Sequence, residues 1–136
     1  MNRNQRKTLV LSGNDVNSIV DRFGLNKVMD RLIQEISTAI DTFDINNTEI
    51  PIRSGFSYEN DNPGLVEWMP LYKKDKEVVI KVVGYHPKNP IAHSLPTILS
   101  TISSYDTATG HLKGLVDGVL LTALRTGATS AVASKH

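Results

Sequence analysis

The sequence predicts an α+β domain with amino-terminal helices, a mostly antiparallel β-sheet and a carboxy-terminal helix, and without a Rossmann domain. Three observations predict it. Apolar residues recur at helical spacing from Leu25 to Phe43. The stretch from Ile50 to Val116 is a series of short β-rich runs separated by turn residues. Helical composition then returns after Asp117-Gly118. That order, with strands grouped rather than alternating with helices, is the α+β pattern.

The elements follow in turn. Thr8 to Leu11 reads as a short strand. Ser12 and Asn14 suit a helix cap and Asp15 a first turn, so a short helix runs to about Phe23, where Gly24 ends it. Leu25, Val28, Met29, Leu32, Ile33, Ile36, Ile40 and Phe43 form one face of a long amphipathic helix, with Lys27, Asp30, Arg31, Gln34 and Glu35 between them. Asp44 to Glu49 is a polar connection, and Ile50 to Arg53 is a short strand candidate. Asn60-Asp61-Asn62-Pro63-Gly64 is a turn; Leu65 to Met69 is a strand that Pro70 stops. After a charged turn at Lys73 to Lys76, the run Val78-Val79-Ile80-Lys81-Val82-Val83 predicts a strand buried on both faces. Pro87 to Pro90 is a rigid loop, Leu95 to Tyr105 a strand, Asp106 to Gly110 a turn, and His111 to Val116 the returning hairpin strand. Val119 to His136 is the last helix.

Composition narrows the function. The chain has 136 residues, 40% of them hydrophobic, which suits one domain with a real core and is too short for a two-domain dinucleotide enzyme. With 15 basic and 14 acidic residues the formal charge is +1, so neither a nucleic-acid nor a membrane-surface partner is expected. There is no cysteine, no run long enough to span a bilayer and no apolar signal core after the basic start, which leads to the expectation of a soluble, cytoplasmic protein. His86, His93, His111 and His136 match no zinc spacing, and no metal site is expected. Neither Gly-x-Gly-x-x-Gly after a strand nor a phosphate loop occurs.

Four charged residues stand inside apolar or β-rich runs: Arg53 after Ile50-Pro51-Ile52, Glu67 within Leu65 to Met69, Lys81 within the valine run, and Arg125 after Leu120 to Leu124. A charge in such a place is either paired, exposed by strand or helix periodicity, or presented to a cavity, because burying it alone is costly. On the plain reading Arg53 and Glu67 lie on exposed strand faces or in salt bridges, and Arg125 on an exposed helix face. On the functional reading three cations surround an anionic ligand while Glu67 handles an amine or a proton. An amino acid is the natural ligand for such a set.

Further motifs carry a resemblance. Glu67-Trp68-Met69-Pro70, Lys81 to Pro90 (KVVGYHPKNP), Leu95-Pro96-Thr97 and Leu121 to Ser130 (LTALRTGATS), with Asp117-Gly118 between the last two, resemble the ornithine cyclodeaminase and mu-crystallin family in order and spacing. The variant here is most similar to the lysine cyclodeaminase branch, then to ornithine cyclodeaminase. The resemblance implies an enzyme that binds NAD, oxidises a basic amino acid to an imine, and closes it to proline or pipecolate with loss of ammonia. It implies that Arg53, Lys81 and Arg125 hold the substrate carboxylate, that Glu67 and Lys81 serve catalysis, and that Thr97, Arg125 and Thr126 touch the nicotinamide side of the cofactor.

In the family the chain continues past Ala133 to Lys135 into a Rossmann domain. This sequence stops at His136. The expectation is therefore a flexible tail over residues 1–7 and a substrate-binding and dimerisation domain over residues 8–136, which does not bind NAD alone. Three functions are compatible with that: half of a cyclodeaminase completed by a Rossmann-domain chain in trans, a stand-alone homodimeric module that binds lysine or ornithine, or an NAD-independent cyclase reusing the pocket.

Overall fold

A computed structural model describes residues 6–135. The expected tail falls mostly on residues 1–5, which lie outside the described residues, as does His136. Arg6 donates from Nη1 to Asp106 Oδ2 at 2.7 Å and to Thr109 Oγ1 at 3.0 Å.

The chain opens with β1 (Leu9–Leu11) and α1 (Gly13–Phe23). Ser12 caps α1: its hydroxyl accepts from the Asp15 amide at 3.3 Å, and the Asp15 carboxylate accepts from the Ser12 amide at 2.8 Å. This reciprocal box satisfies two otherwise unpaired donors. The Ser12 hydroxyl, then its amide, hold the Asp15 carboxyl below its usual range. Ser12→Ala should lower the unfolding free energy by about 1 kcal/mol; a urea midpoint equal to that of the native chain would show that the cap contributes nothing. Gly24 closes α1 at φ +85°, a left-handed backbone suited to glycine, and passes directly into α2 (Leu25–Asp41).

The middle of the chain forms β2 (Thr48–Glu49), β3 (Ser54–Tyr58), β4 (Gly64–Lys73), β5 (Glu77–Tyr85), the short α3 (Asn89–Ala92), β6 (Ile98–Asp106) and β7 (Leu112–Asp117); α4 (Val119–Ala133) ends it. The sheet order is β1-β7-β6-β5-β4-β2, with β3 also on β4, and every pairing is antiparallel except β1 with β7. No helix is long and apolar enough to cross a membrane among the described residues.

Several details depart from the sequence reading. Ile50 to Arg53 is not a strand; pairing begins at Ser54, just after the Pro51 that has no amide to offer a ladder. Pro70 does not stop β4. The outer ladder is interrupted between Trp68, opposite Ser54, and Tyr72, opposite Glu49. A residue without an N–H is tolerated at such a gap. The strand after the Pro87 loop starts at Ile98 rather than Leu95, because Asn89 captures that segment: its side-chain amide donates to Pro96 O at 3.2 Å and its carbonyl accepts from the Leu95 amide at 3.3 Å.

The largest difference concerns burial. Among the described residues the buried apolar ones are Val16, Val20, Ala128 and Val132, all on α1 and α4. The three long helices pack on one another and reach the sheet at β1, β6 and β7. Among the described residues no helix packs closely over β4 and β5, and the β5 run is half-buried instead of sealed. The chain exposes 10052 Å², where size scaling for a compact monomer of this mass gives about 7,000 Å².

Candidate functional site

Pairing register decides which side chains share a face. Glu67 on β4 lies opposite Val83 on β5 and Gly55 on β3, and Lys81 on β5 lies opposite Met69 on β4 and Ile102 on β6. Glu67, Met69, Lys81, Val83, Ser100 and Ile102 therefore face the same way. Ser100 is the residue on which α4 rests, so this is the helix side of the sheet. Beside α4, the surface over β5 and β4 stays open.

Arg53, in the loop entering β3, reaches Glu67 with Nη1 at 3.8 Å from Oε2. With the arginine side chain 66% exposed, this contact is loose and screened by water. Arg125 projects from α4. The Lys81 ammonium is held below its usual range, first by burial and then by the positive charges of Arg125 and Arg53. Lys81 is thus within electrostatic reach of Arg125 and Arg53, and Arg53 in turn reaches Glu67. Such a group is short of negative charge, and two guanidinium forks beside an ammonium can satisfy it with a ligand carboxylate.

Thr126 follows Arg125 on α4, and its hydroxyl donates to Thr122 O at 2.8 Å, inside the helix. Thr97 lies in the loop before β6, where its carbonyl accepts from the His86 amide at 2.9 Å. No hydrogen bond joins Thr97 to α4 among the described residues. No group of His, Asp and Glu there is arranged to hold a metal ion. A concavity of about 590 Å³ between the end of α2 and the β4–β5 turn is lined by residues that include Leu71, Lys73, Lys74 and Lys76 and by none of the four charged residues.

Residues that carry no signal in the sequence support these positions. Asn89 is 5% exposed and joins Asn62, Pro96, His93 and Leu95, fixing the loop that bears Thr97. Its place in His-Pro-Lys-Asn-Pro reads only as a turn. Tyr58 and His86 Nε2 are hydrogen-bonded at 2.5 Å, tying the end of β3 to the end of β5.

The chain belongs to the ornithine cyclodeaminase/mu-crystallin family, whose sequence model matches residues 13–136. Over 130 residues it is 38% identical to the L-lysine cyclodeaminase of Streptomyces rapamycinicus, covering 95% of this chain and 38% of that protein. A solved lysine cyclodeaminase, described with its recognition of L-lysine, L-ornithine and L-2,4-diaminobutyric acid, superposes with a TM-score of 0.87 at 43% identity, over 94% of this chain and 38% of that one. The Delta(1)-pyrroline-2-carboxylate reductase of Thermococcus litoralis, solved with NADH and L-proline, gives 0.72 at 29% identity, over 94% of this chain and 37% of that one. The chain thus spans well under half the length of these relatives.

The described residues do not fit the pyrophosphate of a dinucleotide. A helix N-terminus after a strand is its usual cradle. The two long helices that follow a strand, α1 after β1 and α4 after β7, both begin at turns closed by carboxylates. Asp15 occupies the first, and Asp117 Oδ1 accepts from the Val119 amide at 3.0 Å in the second.

Proposed function

We propose that this chain is the substrate-binding part of an amino-acid-converting enzyme and that it holds a basic amino acid, L-lysine or L-ornithine, by its α-carboxylate. Arg53, Lys81 and Arg125 take the carboxylate, and Glu67 faces the amine. The observation that carries this reading is the placing of Lys81 and Glu67 on the helix side of the sheet with Arg53 reaching Glu67; burial first, then the charges of Arg125 and Arg53, lower the Lys81 value there. An anion placed among them relieves the repulsion and restores the ammonium. The L-proline bound by one relative and the amino acids recognised by the other share that carboxylate, so the cation set serves both.

The redox step belongs to NAD held by a dinucleotide-binding domain, on the same chain or in trans. In this part of the protein, Thr97, Arg125 and Thr126 border the nicotinamide side. The cations fix the carboxylate and thereby aim Cα, while Glu67 orients the amine. The uncovered apolar sheet face, with Trp68, Val78, Ile80 and Val82, suits a second copy of the chain.

Titration calorimetry with L-lysine, L-ornithine and a neutral amino acid tests the binding reading. Heat is expected with the basic ligands, and flat traces for both would end it. Affinity should be constant at neutral pH and fall as pH rises through the lowered Lys81 value, below the 10.5 of an ordinary lysine, because the neutral amine no longer attracts the carboxylate. Lys81→Arg keeps its charge and should lose that step; an unchanged pH profile in the variant would assign the step to another group.

A further inference from the structure

The seam between α4 and β6 has almost no slack. Ser100 is 5% exposed. The Gly118 amide donates to Ser100 O at 2.7 Å, the Thr122 amide donates to Gly118 O at 2.8 Å, and Thr122 Oγ1 donates to Ser100 Oγ at 3.4 Å. A Cβ on Gly118 would stand 2.6 Å from Ser100 Oγ and 3.1 Å from Ser100 Cβ. Gly118 has φ −101°, which any residue adopts, so a side chain there is opposed by space and not by torsion. We infer that Ser100 and Gly118 form a close-contact seat that sets the distance between Arg125 and Lys81, which makes them positioning residues for the carboxylate-binding cations.

The geometry connects the seat to the site in two short steps. Ser100 lies opposite Val83 and Lys81 opposite Ile102, so Ser100 and Lys81 are diagonal neighbours on one face, about 7–8 Å apart. On the other side of the seam, Arg125 follows Gly118 by seven residues and Thr122 by three, on the side of α4 that Thr122 lays against the sheet. A hydrogen-bonded helix is stiff over that length, about 10 Å at 1.5 Å per residue. A displacement at Gly118 therefore reaches Arg125 undiminished. The role of the cations rests on the reading proposed above; the seat and its lever are properties of this chain alone.

The test reads the titration of Lys81 by NMR in the isolated chain, since Arg125, Arg53 and Glu67 are the charged groups around it. Gly118→Ala should lift α4 and raise the Lys81 midpoint toward that of an ordinary lysine, with the far-ultraviolet circular dichroism of a folded chain. Arg125→Gln should also raise it, and Gly118→Ala added to Arg125→Gln should raise it no further. Ser100→Gly added to Gly118→Ala opens the missing space and should return the midpoint toward the native value. A Gly118→Ala chain that melts earlier with Lys81 unmoved would overturn the inference, as would a shift that persists in full without Arg125. If Gly118→Ala does not fold, Ser100→Cys presses on Gly118 more mildly and should give a smaller rise; no rise would overturn the inference equally. Calorimetry with L-lysine on the same variants keeps the two claims apart: flat traces with the Lys81 shifts intact leave the seat standing and remove the ligand.

Discussion

Lys81→Met is expected to weaken binding of L-lysine by roughly ten- to a hundredfold, the loss of one charge-assisted hydrogen bond worth about 1.5–3 kcal/mol. Methionine keeps the length and most of the apolar contact of the side chain, so the sheet has no reason to rearrange. The stability of the unliganded chain should hold or increase, because the ammonium is disfavoured where it sits, by burial and by Arg125 and Arg53. The sign of the pH dependence follows from that. The folded-state value lies below the unfolded 10.5. Between the two the unfolded chain retains a proton that the folded chain has released, and folding is increasingly favoured as pH rises. The difference in stability between the native chain and Lys81→Met should therefore move in favour of the native chain over that interval. Calorimetry and urea unfolding at neutral and alkaline pH measure both effects. Unchanged affinity would remove Lys81 from the site.

Gly55→Ala is expected to be the most damaging single-carbon change in the sheet. A Cβ at Gly55 would lie 2.3 Å from Val66 O and 2.8 Å from Glu67 Cα. Both obstacles are backbone, which cannot rotate away. Overpacking of this kind costs about 2 kcal/mol or more, and the chain can relieve it only by separating β3 from β4. Hydrogen exchange of the amides from Ser54 to Tyr58 should accelerate, and affinity for L-lysine should fall, because Arg53 enters the site from the residue before β3. Native exchange in β3 with native stability would show that the two strands are less tightly opposed than the register implies.

Much of the fold was legible from local pattern. The Leu25–Phe43 periodicity, the Ser12–Asp15 cap, the Gly24 break and the Asp117-Gly118 boundary each depend on residues within a turn or two of one another. β2 and β3 were not legible, since Thr48-Glu49 and Ser54-Gly-Phe-Ser-Tyr58 have little apolar content and become strands only because β4 has a free edge. Proline at position 70 reads as a stop until the gap in the outer ladder is known. The four charged residues were recognisable individually, as charges in apolar runs; the support from Asn89, Ser100 and Gly118 was not, because nothing near them in the chain reveals what lies against them.

The sequence by itself thus determined most of the elements, the α+β order and the family, and it singled out Arg53, Glu67, Lys81 and Arg125 as candidates. Only the tertiary structure decided that Glu67 and Lys81 share the helix side of the sheet, that Arg125 on α4 comes within electrostatic reach of Lys81, and that the valine run of β5 stays half-open. Element type follows from contacts within a few residues. Face, proximity and burial depend on register between distant strands and on where a helix comes to rest.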